Sequence, residues 1–148
     1  TSGMSESERE AFLQRFTNGN PQTLVGFAVM GGIFGEGIDL IGDRLVGAVI
    51  VGVGLPGISL ERELIKEYFT RTLNGGFEYA YLYPGINRVL QAAGRVIRAE
   101  NDRGVVLLID QRYARYQYKS LLREEWDPVW VRDPTQLADG LQKFWNQQ

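Results

Sequence analysis

A chain of 148 residues with 44% hydrophobic and 23% charged content is long enough to bury one real core and is read as one domain. Sixteen basic against eighteen acidic residues leave a formal charge of −2, so no global positive field recruits nucleic acid and any such contact must be local. With neither cysteine nor histidine, disulfides, thiolate and imidazole metal sites, and Ser-His-Asp or Cys-His catalysis are excluded, which leaves carboxylate, lysine, tyrosine and arginine chemistry. No apolar run reaches the roughly 18 uncharged residues that a membrane span requires, and no signal peptide is visible, so a soluble cytoplasmic domain with no membrane partner is expected.

Thr1 to Met4 reads as a vector-derived remnant, and the domain runs over 5–148. Ser5-Glu6-Ser7-Glu8 opens the first predicted helix, with a serine N-cap and acids in its first turn; Asn18-Gly19-Asn20-Pro21 stops it. Thr23 to Met30 is a continuous apolar run that predicts a strand covered on both faces, and Val46–Val53 and Gly104–Asp110 predict two more. Ser59 caps a helix from Leu60 to about Leu73. Pro84 starts another, whose helical periodicity runs from Ile86 to about Ala99. A helix through Tyr113 to Leu122, a short strand at Val129-Trp130-Val131 and a last helix from Gln136 to Trp145 complete the reading. Buried strands alternating with helices predict an α/β domain with a mainly parallel sheet.

In such folds ligands gather at the carboxyl ends of the strands. Glycine and polar residues concentrate there: Gly31 to Leu40 after the first run, Gly54-Leu55-Pro56-Gly57 after the second, Asp110-Gln111-Arg112-Tyr113 after the third. Gly52, Gly54 and Gly57 mimic a dinucleotide fingerprint, with Glu78 downstream as the ribose acid. Pro56 argues against it, because the helix begins only at Ser59 or Leu60, away from the glycine turn. Glu36 and Asp39 sit in a glycine-flanked loop, where Asp39 serves a ribose hydroxyl or an arginine, or simply forms a turn. The tyrosines at 79, 81 and 83 and the tryptophans at 126, 130 and 145 read mainly as packing for the last helix. Arg112, Tyr113, Arg115, Tyr116 and Lys119 form a modest basic-aromatic strip suited to a phosphate backbone.

On the predicted helix, Gln91, Arg95 and Arg98 recur at i, i+4 and i+7 and line one stripe, with Arg88 beside it. Val89, Ala93 and Val96 fall on the opposite face. Two guanidiniums and an amide on a half-buried helix suit polyphosphate recognition, although a solvated helix face has the same pattern. No G-x-x-x-x-G-K-[ST] loop is present, so the chain has no phosphate cradle of its own. If the arginines act on ATP, they act in trans, as fingers reaching across a domain interface.

Taken in order, these motifs resemble the end of the second motor domain of superfamily 2 DNA helicases of the XPD/DinG type. Gly32-Ile33-Phe34-Gly35-Glu36-Gly37-Ile38-Asp39-Leu40 is similar to that family's motif V. Val49 to Pro56 is similar to the strand and G-x-P turn after it. Gln91 to Arg98 is similar to motif VI, Q-x-x-G-R-x-I-R, continued by Asp102-Arg103-Gly104 and Leu108-Ile109-Asp110-Gln111-Arg112-Tyr113. The sequence departs from many relatives at Gly35 and Leu40, where a larger residue and an aromatic are usual. The resemblance covers about Thr23 to Tyr113, and more weakly reaches Trp126.

The resemblance implies a RecA-like three-layer fold and ATP-driven translocation on single-stranded DNA. It implies that Gln91, Arg95 and Arg98 act on ATP and that Gly37 and Asp39 lie at the nucleotide. Gly32, Gly35, Glu36 and Arg112 would couple nucleotide to DNA. ATP and magnesium would be held mainly by a first motor domain of the same polypeptide, with no metal ligand supplied here and no activity from this part alone. Two alternatives stay open: a non-catalytic module of the same fold that docks on or regulates a partner, and a dinucleotide-binding domain around Gly52–Gly57.

Overall fold

The computed structural model describes residues 3–32, 34, 40, 42–97 and 101–147. Two strands carry its centre. β1 (Gly47–Val51) and β2 (Val105–Ile109) are parallel, with Gly47 opposite Val105 and Val51 opposite Ile109. Parallel neighbours need a long crossover, and the chain between them supplies two helices, α2 (Leu60–Leu73) and α3 (Tyr83–Ala93). The result is an α/β fold with a parallel strand pair, as the alternation of elements predicts, and it is consistent with the RecA-like fold that the resemblance implies.

Local chemistry sets the helix limits. At α1 (Glu6–Gln14), Ser5 and Glu8 form a reciprocal capping box. At α2, the Ser59 hydroxyl accepts the Arg62 amide, and Asn74 ends the helix in the left-handed region at φ 53. A π-helical turn, Glu78–Leu82, leads into α3 and turns Ala80, Tyr81 and Leu82 inward. The Tyr81 hydroxyl donates to Glu63 Oε1 at 2.6 Å and so ties this turn to α2. α3 then buries Ile86, Val89 and Ala93 along one stripe against Ile50 and Val53, at and just after the end of β1.

Close approach of α3 to that strand exit depends on paired glycines. A Cβ on Gly54 would stand 2.5 Å from the Gly85 carbonyl oxygen, and one on Gly85 would stand 2.8 Å from that of Val53. Gly54 also has φ 66, a conformation that side chains disfavour. The glycines that mimic a dinucleotide fingerprint thus have a packing role at Gly54. The following helix begins only at Leu60, capped by Ser59, so no helix N-terminus is presented at the turn.

Four expectations are corrected. Thr23–Met30 forms no strand with the described residues and ends in a turn at Met30, with Val25, Phe27 and Val29 exposed by 67%, 93% and 69%. An apolar run marks a segment suited to burial without naming its partner, and among the described residues β1 pairs only with β2. One side of this segment does meet α1, where a Cβ on Gly26 would come within 3.0 Å of the Phe12 and Phe16 rings. Second, α3 stops at Ala93 instead of running to about Ala99, because Gly94 caps it and the chain tightens into a turn. Third, the helix expected from Tyr113 to Leu122 is broken at Arg115 (ψ 137) into a 3-10 turn, Gln111–Ala114, and a single helical turn, α4 (Tyr116–Lys119).

Fourth, Val129-Trp130-Val131 is exposed and forms no strand. The last helix, α5 (Pro134–Asn146), is present and capped by Asp133, whose carboxylate accepts the amides of Thr135 and Gln136. It buries no residue, and the aromatic packing of a last helix onto the sheet is not what holds it. Arg103, in the loop before β2, lies over the Phe144 and Trp145 rings at 4.7 and 5.4 Å and donates to the Phe144 carbonyl.

Candidate functional site

The end of α3 builds the site. Asn87 and Gln91 follow one another at i, i+4 on the exposed side of the helix. At Gly94 the amide still reaches the Leu90 carbonyl at 2.9 Å. The next two amides turn back by one residue fewer, Arg95 to Ala92 at 3.3 Å and Val96 to Ala93 at 3.1 Å. This tightening is an ordinary way to end a helix. It places the half-buried Arg95 beyond the helix, while Val96 drops into the interior at 4% exposure and pins the turn. Val96 is in turn held by the entry to β2, where a Cβ on Gly104 would come 2.2 Å from Val96 Cγ1 and 3.0 Å from the Val46 carbonyl oxygen.

Gln91 and Arg95 therefore stay together, though not as residues of one continuous helix. With Asn87, Leu90, Gly94 and Arg123 they line an open cleft of about 290 Å³. Every polar side chain that the described residues contribute to that lining is an amide or a guanidinium, which favours an anion. Gly94 leaves the wall low between the two polar turns. Arg98, the third member of the predicted stripe, lies outside the described residues, as do Gly35, Glu36, Gly37 and Asp39.

The strand exits form a second, adjoining group. The chain reaches Gly31 at φ 78, and Gly32, half-buried, donates its amide to the Val29 carbonyl at 2.9 Å. A Cβ on Gly31 would lie 3.2 Å from Arg88 Nε, and Arg88 Nη1 donates to the Gly54 carbonyl at 3.3 Å. Arg88 thus lies between the glycine turn at Gly31 and the turn after β1. Asp110, the residue after β2, accepts from Arg112 through both carboxylate oxygens, Nε to Oδ1 at 2.9 Å and Nη2 to Oδ2 at 2.7 Å. Those hydrogen bonds hold its carboxyl down at about 2, and they also give Arg112 a fixed partner. The basic-aromatic strip is divided accordingly: Tyr113 is buried, whereas Arg115, Tyr116 and Lys119 face solvent.

Asn87 and Arg123 were not among the residues singled out by sequence. Asn87 sits one helical turn before Gln91, so the same periodicity finds it. Arg123 comes from the segment after α4 and joins the cleft only through the tertiary fold. Among the described residues no three His, Cys, Asp or Glu side chains cluster so as to hold a metal ion, and no helix is long and apolar enough to cross a membrane.

The helicase C-terminal domain family matches residues 2–129. A regulator of telomere elongation helicase 1 homolog from Caenorhabditis briggsae is 32% identical over 85% of this chain and 13% of its own length. A probable ATP-dependent helicase of Methanocaldococcus jannaschii is 34% identical over 76% of this chain and 18% of its own. The ATP-dependent DNA helicase DinG of Photobacterium profundum is 32% identical over 75% of this chain and 16% of its own. The chain belongs to the helicase C-terminal domain family, with relatives of the XPD/DinG type. It spans less than a fifth of the length of these relatives.

Proposed function

We propose that this chain is the C-terminal motor domain of an ATP-dependent DNA helicase and acts on ATP bound mainly by another motor domain of the same polypeptide. The supporting observation is the convergence of the Gln91 amide and the Arg95 guanidinium on one open, anion-favouring cleft at the end of α3. Such a donor set fits phosphate oxygens. Among the described residues it includes no carboxylate for magnesium, whose ligands would come from the other domain.

In this reading ATP supplies the phosphoryl group whose transfer drives translocation. Arg95 and Arg98 neutralise charge on that group, with Gln91 orienting beside them. A finger of this kind is worth about 10³–10⁵ in rate. Gly37 and Asp39 belong at the nucleotide. Gly32, Gly35, Glu36 and Arg112 relay the state of the cleft to single-stranded DNA, with Arg88 bridging Gly31 to the Gly54 turn. Opening and closing of the interdomain cleft then moves the two domains along the strand.

The test is ATP hydrolysis by the polypeptide that joins this chain to its nucleotide-binding partner domain. Arg98→Ala is expected to abolish turnover while leaving the fold and most of the affinity for single-stranded DNA unchanged. Parental turnover in that variant would refute the finger role.

A further inference from the structure

Arg123 stands in the same cleft as Gln91 and Arg95 but comes from a different part of the chain, outside the motif pattern. Its position is fixed by its neighbours. Leu122 is buried and Trp126 packs against the same core, so the backbone between them is anchored while the Arg123 side chain reaches outward. Its Nη1 lies 3.9 Å from Glu125 Oε1, both side chains being largely exposed at 57% and 71%. A pair so long and so exposed contributes little, and it leaves the guanidinium able to exchange Glu125 for a better anion.

The rest of the lining sets the chemistry of that anion. Asn87 and Gln91 bring amide groups to one wall, Arg95 and Arg123 bring planar guanidiniums, and among the described residues no carboxylate lines the cleft. Guanidinium forks match phosphate oxygens two at a time. At about 290 Å³ the cleft is at the lower bound of roughly 300 Å³ for small-molecule sites, the size expected of a surface that closes over only part of a ligand.

We infer that Arg123 is a further nucleotide-binding residue of this cleft, contacting phosphate oxygens of the nucleoside triphosphate alongside Arg95. The inference rests on the proposed function, which puts ATP against this cleft. It assigns Arg123 to binding, with the transferred charge left to the motif VI arginines.

The experiment compares Arg123→Ala, Arg123→Gln and Arg123→Lys with Arg95→Ala in the full polypeptide. It measures kcat and KM for ATP, the Kd for single-stranded DNA and the thermal midpoint. Arg123→Ala and Arg123→Gln are expected to raise KM about tenfold, the effect of one lost charge-assisted hydrogen bond, with kcat within about twofold of the parent. Arg123→Lys is expected to recover most of the loss, and the thermal midpoint to stay put because the side chain is exposed. An unchanged KM in the first two variants, with turnover abolished by Arg95→Ala, overturns the Arg123 assignment and leaves the finger reading standing. Unchanged kinetics in all four variants overturns both. A weakened Kd for DNA with an unchanged KM assigns Arg123 to nucleic-acid phosphates and likewise overturns the inference.

Discussion

The Tyr113 hydroxyl donates a 2.8 Å hydrogen bond to the carbonyl of Gly52, joining the segment after β2 to the exit of β1. Gly52 is in the left-handed region at φ 89, and its amide donates to the Ile109 carbonyl at 3.0 Å. The two strand exits are thus locked to each other by one backbone and one side-chain bond. Tyr113→Phe keeps the buried ring and removes only the hydroxyl, and is predicted to cost about 1 kcal/mol in denaturant unfolding. Burial pushes the Tyr113 hydroxyl up to about 12. A group raised in the folded state stabilises fully below its unfolded value, about 10, and its contribution fades as pH climbs through 12. The difference between wild type and Tyr113→Phe is therefore predicted to shrink over that alkaline window; a constant difference would contradict the buried hydroxyl.

Asp110 works in the opposite pH range. Its carboxyl is held at about 2, first by the side-chain hydrogen bonds from Arg112, against an unfolded value of about 3.9. A depressed carboxyl stabilises the fold above its unfolded value and loses that effect as pH falls through the folded value. Stability supplied by this pair is predicted to decline between about pH 4 and pH 2. Asp110→Asn should flatten that part of the acid unfolding curve and cost about 1–2 kcal/mol at neutral pH, because it breaks a two-pronged contact and an N-cap to the Arg112 amide. An acid profile identical to the parent's would remove the pair from the account.

Gly104 links fold to site. A Cβ there has no room, with Val96 Cγ1 at 2.2 Å and the Val46 carbonyl oxygen at 3.0 Å, and Val96 directly follows Arg95. Gly104→Ala is predicted to destabilise by about 1–3 kcal/mol, as overpacking does, and to lower ATP turnover in the full polypeptide even where the variant remains folded. Unchanged turnover in a destabilised variant would show that Val96 does not set the position of Arg95.

Arg103 ties the last helix to the loop before β2. Arg103 covers Phe144 and Trp145 and bonds the Phe144 carbonyl. Arg103→Ala is predicted to cost about 1 kcal/mol or less and to speed amide hydrogen exchange over 141–146, with exchange in β1 and β2 unaltered. Uniform acceleration across the chain would mean that the helix is integral to the core.

Much of this was legible from residues whose signals are local. Ser59 with Leu60–Leu73, Pro84 at the start of α3, and Asp133-Pro134 at α5 carry cap chemistry that needs no knowledge of the rest of the fold. β1 and β2 were legible as apolar runs. The same signal failed at Thr23–Met30, because hydrophobicity alone does not supply a ladder partner. Helical periodicity likewise carried past Gly94, where a glycine and the burial of Val96 turn the chain. Gln91 and Arg95 still meet, since a tight turn continues the helical path closely enough. Arg123 could not be read at all, because its place beside Arg95 depends on how α4 and Trp126 pack. Gly35 to Gly37, Asp39 and Arg98 lie outside the described residues, and their roles rest on the motifs.

The measurement that bears most directly on the account is the single-turnover rate of ATP hydrolysis by the full polypeptide carrying Arg95→Ala, with ATP prebound and single-stranded DNA present. The account predicts a fall of about 10³–10⁵ with ATP and DNA still bound, because the charge lost is one needed by the transferred phosphoryl group. Hydrolysis at the parental rate, with ATP bound, would contradict it.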